Sequence, residues 1–299
     1  MEGRKNQVLL VDAYGSIYRS FHAIRGLSNP AGAPVNALYG MARLALKLDR
    51  DFPSKYTALV LDKGKCERRI GLLPEYKANR PPMPDELRSQ VPLIRDWFEA
   101  MGWPLLWQEG WEADDLIAVA AEQSGELPVY IVSHDKDLAQ LVRDGVVLVQ
   151  SAGQGAWRQL GPADVEEKFG IPPERVVDFL ALVGDSSDNI PGVKGVGPKT
   201  AASLLREHGT LDTILEHPEQ VSKPGLRDTL TAAREELLRN RELVRLKTTD
   251  CEQWHGLDAI ERRRPDWSRL IEIAREQGFK SLIGALQKER DEARSPRLL

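Results

Sequence analysis

Nine acidic side chains recur along the first two thirds of the chain, and most of them lie just after short apolar runs. They are Asp12, Asp62, Glu112, Asp114, Asp115, Asp135, Asp137, Asp185 and Asp188. Bare carboxylates brought together repel each other, by roughly 4 kcal/mol for two charges about 4 Å apart at an effective dielectric near 20. Carboxylate and water oxygens are the ligands that Mg²⁺ and Mn²⁺ prefer, and paired ions of this kind cleave phosphodiesters. These residues therefore predict a hydrolytic site with two divalent cations.

Four short apolar runs, three of them before these acids, predict buried β-strands. Such runs occupy residues 8–11, 57–61, 129–132 and 146–149. Helical periodicity separates them, with apolar residues on one face of 36–48, 86–100 and 112–122. Alternating strands and helices are typical of a parallel sheet covered by helices, in which the carboxyl ends of the strands form the ligand-binding edge. We therefore expect an α/β domain over residues 1–160, with the acids converging at that edge.

The strand pattern ends near residue 160, and helical patterns follow it. They cover residues 163–169, 173–183, 198–208, 210–216, 226–246 and 267–287. These patterns predict a second, helical domain over residues 161–299. Residues from about 288 are polar and include Pro296, which predicts a frayed tail.

Residues 63–85 follow Asp62 directly and fit neither pattern. This basic segment contains Lys63, Lys65, Arg68, Arg69, Pro74, Lys77, Arg80, Pro81, Pro82 and Pro84. A long basic insertion at the predicted edge could hold a phosphate backbone. Tyr76, which precedes Lys77, is a candidate for stacking on a nucleobase.

Each acidic motif also has a purely structural interpretation. Acids favour the first turn of a helix, but three of them within residues 112–115 exceed that need. The acids of 135–137 could be N-caps, and those of 185–188 could belong to a plain turn. Glu112 and Asp115 can share a helix face, so one helix start could serve two adjacent metals.

The glycine-rich segment of residues 190–202, IPGVKGVGPKTAA, predicts a second functional element. Gly192 and Gly197 have the spacing of a nucleotide-binding P-loop, but Pro198 intervenes before Lys199 and no apolar strand precedes the segment. A Gly-Val-Gly hairpin that opens a helix instead predicts a nest of backbone amides, which binds phosphate without reading base sequence. An ordinary corner between two helices is the structural alternative.

The composition is that of a folded protein, since 41% of the 299 residues are hydrophobic. A net charge of −4 argues against nucleic acid. However, a carboxylate cluster lowers that sum, and bound cations reverse it locally. Cys66 and Cys251 fit neither a metal motif nor a disulfide framework, which predicts reduced thiols. Because no apolar run suits a signal peptide or a membrane span, we expect a cytoplasmic protein without membrane contact.

Together these motifs resemble the 5′-nuclease or flap endonuclease family, which includes the 5′→3′ exonuclease domains of bacterial DNA polymerases I. The shared stretches are VDAY, YRSFH, LDKGK, YKANRPPMP, EADD, HDKDL and GDSSDNIPGVKGVG, in the family's order over about residues 6–250. The resemblance implies a PIN-like nuclease domain with a helical arch over residues 63–85. A helical domain with a helix–three-turn–helix motif at about 184–208 would follow. The implied activity is hydrolysis of DNA 5′ ends and flaps by a two-metal mechanism in replication and repair.

The resemblance also implies roles for individual residues. Asp12, Asp62, Glu112 and Asp114 would hold the first of two Mg²⁺ ions, and Asp115, Asp135, Asp137, Asp185 and Asp188 the second. Mn²⁺ would substitute for Mg²⁺. A free 5′ strand would thread the arch, with catalytic roles for Arg69, Tyr76, Lys77 and Arg80. DNA contacts are implied for Arg19, Gly192, Val193, Lys194, Gly195, Val196, Gly197, Lys199 and Thr200, and K⁺ for the helix–three-turn–helix motif.

Two positions depart from the family pattern, because Arg68 and Leu73 stand where aromatic residues are usual. They bear on the arch and leave the predicted metal site intact. The implied partners are DNA with 5′ flaps, nicks or ends, RNA–DNA hybrids and a DNA polymerase, and the implied state is a monomer. The chain contains no polymerase region, which fits a stand-alone member or a separately expressed domain.

Two other functions fit parts of the pattern. A PIN-type ribonuclease shares an acidic site at the strand ends, but the glycine-rich hairpin and the long helical domain argue against it. A DNA-binding module without catalysis would require a broken metal site, and none of the expected carboxylates is missing.

Overall fold

The computed structural model describes residues 4–153 and 155–294. At its centre is a six-stranded sheet in the order β3-β2-β1-β4-β5-β6. The strands are β1 Lys5–Asp12, β2 Ser54–Val60, β3 Leu105–Leu106, β4 Val129–Val132, β5 Val146–Ser151 and β6 Trp157–Leu160. All neighbouring strands are parallel except β6, which is antiparallel to β5. The predicted α/β class with a parallel sheet is confirmed.

The central strand β1 is apolar because both of its faces are buried. Alternate residues of Val8–Val11 pack into two cores on opposite faces of the sheet, as side chains of a strand alternate. The register places Asp12 beside Val60 of β2, and Val11 beside Val132 of β4. The carboxyl ends of β1, β2 and β4 therefore lie at one edge.

Helices cover both faces of the sheet. Those of the first half are α1 Ala13–Ala23, α2 Asn36–Asp51, α3 Glu67–Leu72, α4 Asp85–Arg88, α5 Val91–Ala100 and α6 Ala113–Glu122. Apolar residues of α6 join one core, and those of α1, α2 and α5 join the other. The single helix predicted over 86–100 was wrong: α4 and α5 are separate, and Pro92 lies in the first turn of α5, where its lack of an N–H is tolerated.

The second half is helical, as predicted from the sequence. Its helices are α7 Pro162–Phe169, α8 Val176–Val183, α9 Pro198–His208, α10 Leu211–Glu216, α11 Pro224–Ala232, α12 Arg234–Val244, α13 Trp267–Glu276 and α14 Lys280–Arg294. The continuous helix expected over 226–246 is two helices, because Ala233, with a ψ of 8°, departs from helical geometry. Among the described residues, no helix combines the length and apolar character needed to cross a membrane.

The last two helices fold back onto the first half of the chain. Leu270, Ile273 and Leu286 share a core with α2 and α5. The predicted helix over 267–287 is divided after α13, where Gly278 takes a positive φ of 72°, which glycine adopts readily. The polar residues 288–294 continue α14 rather than fray, and Lys288 lies 3.7 Å from Glu292 one turn later. Pro296 lies outside the described residues.

The basic segment is mostly not helical. It contains the six-residue α3, and turns follow from residue 74 to the beginning of α4. The expected helical arch is therefore reduced to one short helix, because the prolines at 74, 81, 82 and 84 interrupt helical hydrogen bonding. Leu73 and Tyr76 are buried in the core that contains α6. The segment consequently lies across the acidic edge of the sheet.

Candidate active site

Asp12 connects the central strand to the site. It ends β1 and caps α1, because its Oδ1 accepts a hydrogen bond from the N–H of Gly15 at 3.2 Å. Its Oδ2 accepts one from Oγ of Ser133 at 2.9 Å. The same Oγ accepts a hydrogen bond from the N–H of Asp135 at 3.0 Å. One serine after β4 thus joins two of the predicted metal-binding residues, although sequence reasoning did not single it out.

Four acids influence one another as a first cluster: Asp12, Asp62, Asp114 and Asp135. Burial and the charges of Asp62 and Asp135 raise the pKa of Asp12 to about 6. Burial also raises the pKa of Asp114 well above its ordinary value, and the charges of Asp135 and Asp12 add to the effect. Asp62 follows β2 and accepts a hydrogen bond from the N–H of Ala113 at 2.7 Å. A bound cation would relieve the mutual repulsion in this cluster.

Asp137, Asp185 and Asp188 form a second cluster, with one oxygen of each within 4.8 Å of the others. Burial, followed by the charge of Asp135, raises the pKa of Asp137 to about 8. The pKa of Asp185 is lowered instead, although burial by itself would raise it. Hydrogen bonds from Ser187 and from Lys136, whose Nζ lies 2.9 Å away, outweigh burial and lower that pKa.

Glu112 and Asp115 are bridged by Arg69. Nη1 of Arg69 lies 2.6 Å from an oxygen of each acid, and Nη2 donates to Asp115 at 2.9 Å. Its Nε donates to the carbonyl oxygen of Leu243 at 2.8 Å, and the arginine is 2% exposed. Asp115 also accepts a hydrogen bond from the N–H of Lys247. These hydrogen bonds hold the guanidinium of Arg69 within the protein interior.

The rest of the basic segment also contacts the acids. Nζ of Lys77 lies 2.6 Å from Oε1 of Glu112, and Nη2 of Arg80 lies 2.5 Å from Oδ1 of Asp188. The hydroxyl of Tyr76 lies 3.0 Å from Glu112 and 2.9 Å from Asp188. Because Tyr76 is only 7% exposed, its ring offers no open face to a nucleobase in this conformation. The three side chains shield negative charge that would otherwise be bare.

The carboxylates fit divalent cations. The second cluster has three oxygens within the reach of one ion, and Oδ1 of Asp137 is buried without a hydrogen-bond partner among the described residues. In the first cluster, burial and then the charges of neighbouring carboxylates raise the pKa values of Asp12 and Asp114. Oxygen-rich sites of this kind suit hard ions such as Mg²⁺. Two groups of acids, joined through Asp135, therefore provide room for more than one ion.

The glycine-rich hairpin connects α8 and α9. Val193 and Val196 are buried anchors, while Gly192, Lys194, Gly195, Gly197 and Lys199 are exposed and Thr200 is half-buried. The N–H of Val193 donates to the carbonyl of Leu182 at 3.0 Å. Nδ2 of Asn240 in α12 donates to the carbonyl of Pro191 at 2.7 Å. These bonds fix the hairpin and leave its glycines facing solvent at the start of α9.

Arg19 lies away from these clusters, on α1. It is exposed and borders a groove between α1, α2 and α14. Sequence reasoning placed Arg19 within a shared stretch but missed this groove. It also assigned no role to Ser133 or Lys136, which lie two residues before and one residue after Asp135.

The fold and the carboxylate edge define a metal-dependent nuclease. Two family descriptions match the chain in succession. The 5′-3′ exonuclease N-terminal resolvase-like domain matches residues 7–170, and the 5′-3′ exonuclease C-terminal SAM fold matches residues 171–268. The chain belongs to the 5′-3′ exonuclease family.

Relatives of two lengths match the chain. It is 36% identical over 281 residues to the 5′-3′ exonuclease of Aquifex aeolicus, covering 93% of this chain and 94% of that protein. It is 40% identical over 296 residues to DNA polymerase I of Pseudomonas aeruginosa, covering 96% of this chain but 32% of that protein. The chain thus spans about a third of the length of the DNA polymerase I relatives it matches.

Solved structures share the fold at lower identity. T5 5′-exonuclease with bound zinc gives a TM-score of 0.68 at 24% identity, covering 96% of this chain and 99% of that one. The catalytic core of Rad2 in complex with a DNA substrate gives a TM-score of 0.64 at 15% identity, covering 91% and 88% of the two chains. The predicted fold, an α/β domain followed by a helical domain, is therefore shared with these two structures.

Proposed function

We propose that this protein is a metal-dependent, structure-specific 5′ nuclease that acts on DNA as a 5′→3′ exonuclease and a 5′-flap endonuclease. One observation carries the proposal: clustered acids and the cations of the basic segment meet at one sheet edge. Acids of this number suit metal-assisted hydrolysis, and the cations suit a phosphate substrate. Membership in the 5′-3′ exonuclease family supports the same activity.

The proposed cofactor is Mg²⁺, with Mn²⁺ as a substitute. Asp12, Asp62, Glu112 and Asp114 would hold one ion, and the cluster of Asp137, Asp185 and Asp188 would hold a second. Asp135 lies next to both groups of acids. Asp115 is bound by Arg69, and in this proposal it becomes a metal ligand only after Arg69 releases it. Bound ions would supply a lowered pKa for the attacking water and stabilise charge on the leaving oxygen.

Lys77 and Arg80 are the residues that we propose meet the scissile phosphate. Both now contact carboxylates, at Glu112 and Asp188. When cations hold those acids, the ammonium and guanidinium groups become available to a phosphate. Fixed donors aimed at developing charge are the usual source of such stabilisation. Tyr76 would stack on a nucleobase after the same rearrangement exposes its ring.

The hairpin of residues 190–200 is the proposed holder of duplex DNA. Its exposed glycines, Lys194 and Lys199 surround the start of α9, where backbone N–H groups and the helix dipole favour a phosphate. A K⁺ ion at the hairpin carbonyls is part of the proposal. Binding of this type depends on salt and is blind to sequence.

Cleavage of a 5′-labelled double-flap DNA tests the proposed function. In Mg²⁺ we expect release of a short flap, and EDTA should abolish that release. If the 5′ strand threads the basic segment, a blocked 5′ end should also prevent cleavage. Asp114→Ala and Asp135→Ala should abolish cleavage while circular dichroism shows an unchanged fold. A wild-type chain that binds the flap but never cleaves it in Mg²⁺ or Mn²⁺ would overturn the proposal. An RNA flap of the same sequence tests the ribonuclease alternative.

We further propose a monomer that works in the cytoplasm with a DNA polymerase, removing RNA primers or displaced flaps. The relatives named DNA polymerase I, which contain a similar region in a longer chain, support the link to a polymerase. Sedimentation of the purified chain tests the monomer. Gap filling by a DNA polymerase, with and without this protein, tests the link, because cooperation should yield a ligatable nick.

A further inference from the structure

Lys136 lies inside an acidic motif and reaches across to the helical domain. It stands between Asp135 and Asp137 in the chain, and its Nζ lies 2.9 Å from Oδ1 of Asp185. Asp185 belongs to the loop between α8 and the hairpin, so this ion pair joins the two domains at the second cluster of acids. The proposed chemistry does not use this lysine.

Asp185 is held by one of its two oxygens. Its Oδ1 accepts hydrogen bonds from the N–H of Ser187 at 2.9 Å and from Oγ of Ser187 at 2.6 Å, and it also pairs with Lys136. Over residues 4–153 and 155–294, no hydrogen bond reaches Oδ2. Oδ2 is therefore the oxygen that remains for a cation, while Lys136 occupies the other one.

Lys136 differs from the cations of the basic segment, which contact the acids from a run of turns. It belongs to a closed turn that also contains proposed metal ligands. The N–H of Asp137 donates to Oδ1 of Asp135 at 2.9 Å, and the N–H of Ala139 donates to the carbonyl oxygen of Lys136 at 3.1 Å. An ion bound to Oδ2 of Asp185 would not compete with the lysine for an oxygen. Lys136 is therefore the cation that stays at this cluster.

The charge of the second cluster exceeds that of one divalent ion. Asp137, Asp185 and Asp188 carry three negative charges when all of them are ionised. Lys136 cancels one, and the remaining two equal the charge of one divalent cation. Without the lysine, an ion would be held more tightly by the extra charge. One negative charge would then be left uncancelled, and it would repel the phosphate of a substrate.

We propose that Lys136 sets the charge of the second metal site, so that the site binds one divalent ion at reduced affinity and carries no excess negative charge toward a phosphate. The inference rests on the proposed function, because that function places an ion at the second cluster. Two other roles make different predictions. If Lys136 only positioned Asp185, its loss would weaken metal binding. If it contacted the substrate phosphate, its loss would leave metal binding unchanged when DNA is absent.

Binding of Mn²⁺ to the DNA-free protein, measured by calorimetry, separates these roles. Lys136→Met keeps the length of the side chain and removes its charge, while Ser187 still donates two hydrogen bonds to Oδ1 of Asp185. We expect one Mn²⁺ ion to bind at least about tenfold more tightly than in the wild type. Weaker binding would overturn the proposal and leave Lys136 a positioning role. Unchanged binding would overturn it in favour of a contact with DNA.

Three further variants test whether charge is the cause. Lys136→Arg keeps the charge and should bind Mn²⁺ as the wild type does. Lys55→Met removes the same charge at the start of β2, where Lys55 lies 3.7 Å from Glu261, and should also have no effect. Ser187→Ala removes a hydrogen bond to Oδ1 without changing the charge, and should weaken Mn²⁺ binding by about tenfold or more. Tighter binding in any of these three variants would overturn the proposal.

Cleavage of a 5′ flap at varied Mg²⁺ concentration keeps this inference distinct from the proposed function. In Lys136→Met, the Mg²⁺ concentration for half-maximal cleavage should fall and KM for the flap should rise; a higher Mg²⁺ requirement would overturn the inference. If the wild type fails to cleave but Lys136→Met binds Mn²⁺ more tightly, the proposed function fails and the role of Lys136 stands. If the wild type cleaves and both proteins bind Mn²⁺ equally, the proposed function stands and this inference fails.

Discussion

The ammonium nitrogen of Lys77 lies 2.6 Å from Oε1 of Glu112, while the backbone N–H of the same lysine donates to the carbonyl oxygen of Asp188 at 2.9 Å. Lys77 adopts a positive φ of 56°, which is uncommon for a residue with a side chain. The basic segment is therefore fixed to two acidic motifs at once. Because these motifs are also the proposed metal ligands, a metal and the lysine compete for the same oxygens.

Lys77→Ala should separate catalysis from metal binding. We expect kcat for flap cleavage to fall by about 10²–10³, because one donor to the developing charge is lost. The affinity for Mn²⁺, measured by calorimetry, should be unchanged or higher, because a competing cation is gone. Lys63→Ala is the matched control, since Lys63 belongs to the same segment but pairs with the exposed Glu109. Weaker Mn²⁺ binding by Lys77→Ala would show that the lysine organises the acids instead.

Without metal, stability should fall as the pH rises from about 4 to about 8. The raised pKa values of Asp12, at about 6, and Asp137, at about 8, mean that the folded state binds protons that the unfolded state has released over this window. The contribution of these groups is therefore complete below about pH 4 and lost above about pH 8. Thermal melting in EDTA should show the lower Tm at the higher pH, and Mg²⁺ should restore it there.

Replacing individual acids identifies the source of this pH dependence. Asp137→Asn should flatten the profile at its upper end, because it removes the carboxyl with the pKa of about 8. Asp51→Asn is the control: hydrogen bonds from Lys47, Trp157 and Arg50 outweigh burial and lower the pKa of Asp51 to about 2, so its loss should leave the slope between about pH 5 and 8 unchanged. A profile that stays as steep in Asp137→Asn as in the wild type would contradict the assignment.

The sequence predicted the four strands of the sheet that are long and apolar, because burial on both faces produces a continuous apolar run. It missed β3, which has two residues, and β6, whose polar sequence WRQL lies at the edge of the sheet. The convergence of the acids at one edge of the sheet was predictable, because they follow the ends of predicted parallel strands. The contact of Arg69 with Asp115 was not, because it depends on how residues 63–85 pack against α6 and α12. No local pattern encodes that packing.

Arg69 should be important mainly for stability. It is 2% exposed and connects Asp115 and Glu112 to the carbonyl oxygen of Leu243. Arg69→Ala would deprive the buried carboxylate of Asp115 of its closest cationic partner, which costs about 3–5 kcal/mol in comparable sites. Arg69→Lys should not restore the loss, because an ammonium group cannot reproduce the bidentate contact. Urea unfolding measures both changes.

The neighbouring arginine is a control for the Arg69 variants. Arg68 is more exposed and donates to the carbonyl oxygens of Glu242 and Arg245. Arg68→Ala should therefore reduce the free energy of unfolding by about 1 kcal/mol or less. If Arg69→Ala proved as stable as Arg68→Ala but failed to cleave DNA, Arg69 would act on the substrate and the structural role would be wrong.

Gly192→Ala should disable the hairpin that we propose holds DNA. A Cβ at this position would lie 1.9 Å from the carbonyl oxygen of Val183, so the hairpin would have to move away from the end of α8. We expect at least about tenfold weaker binding of duplex DNA in fluorescence anisotropy, because the phosphate-binding amides of the hairpin would lose their geometry. Gly197→Ala is the matched control within the same hairpin. A Cβ there meets no atom within 4 Å, and Gly197 has an ordinary negative φ. If both variants bind duplex DNA as the wild type does, the DNA interface lies elsewhere on the helical domain.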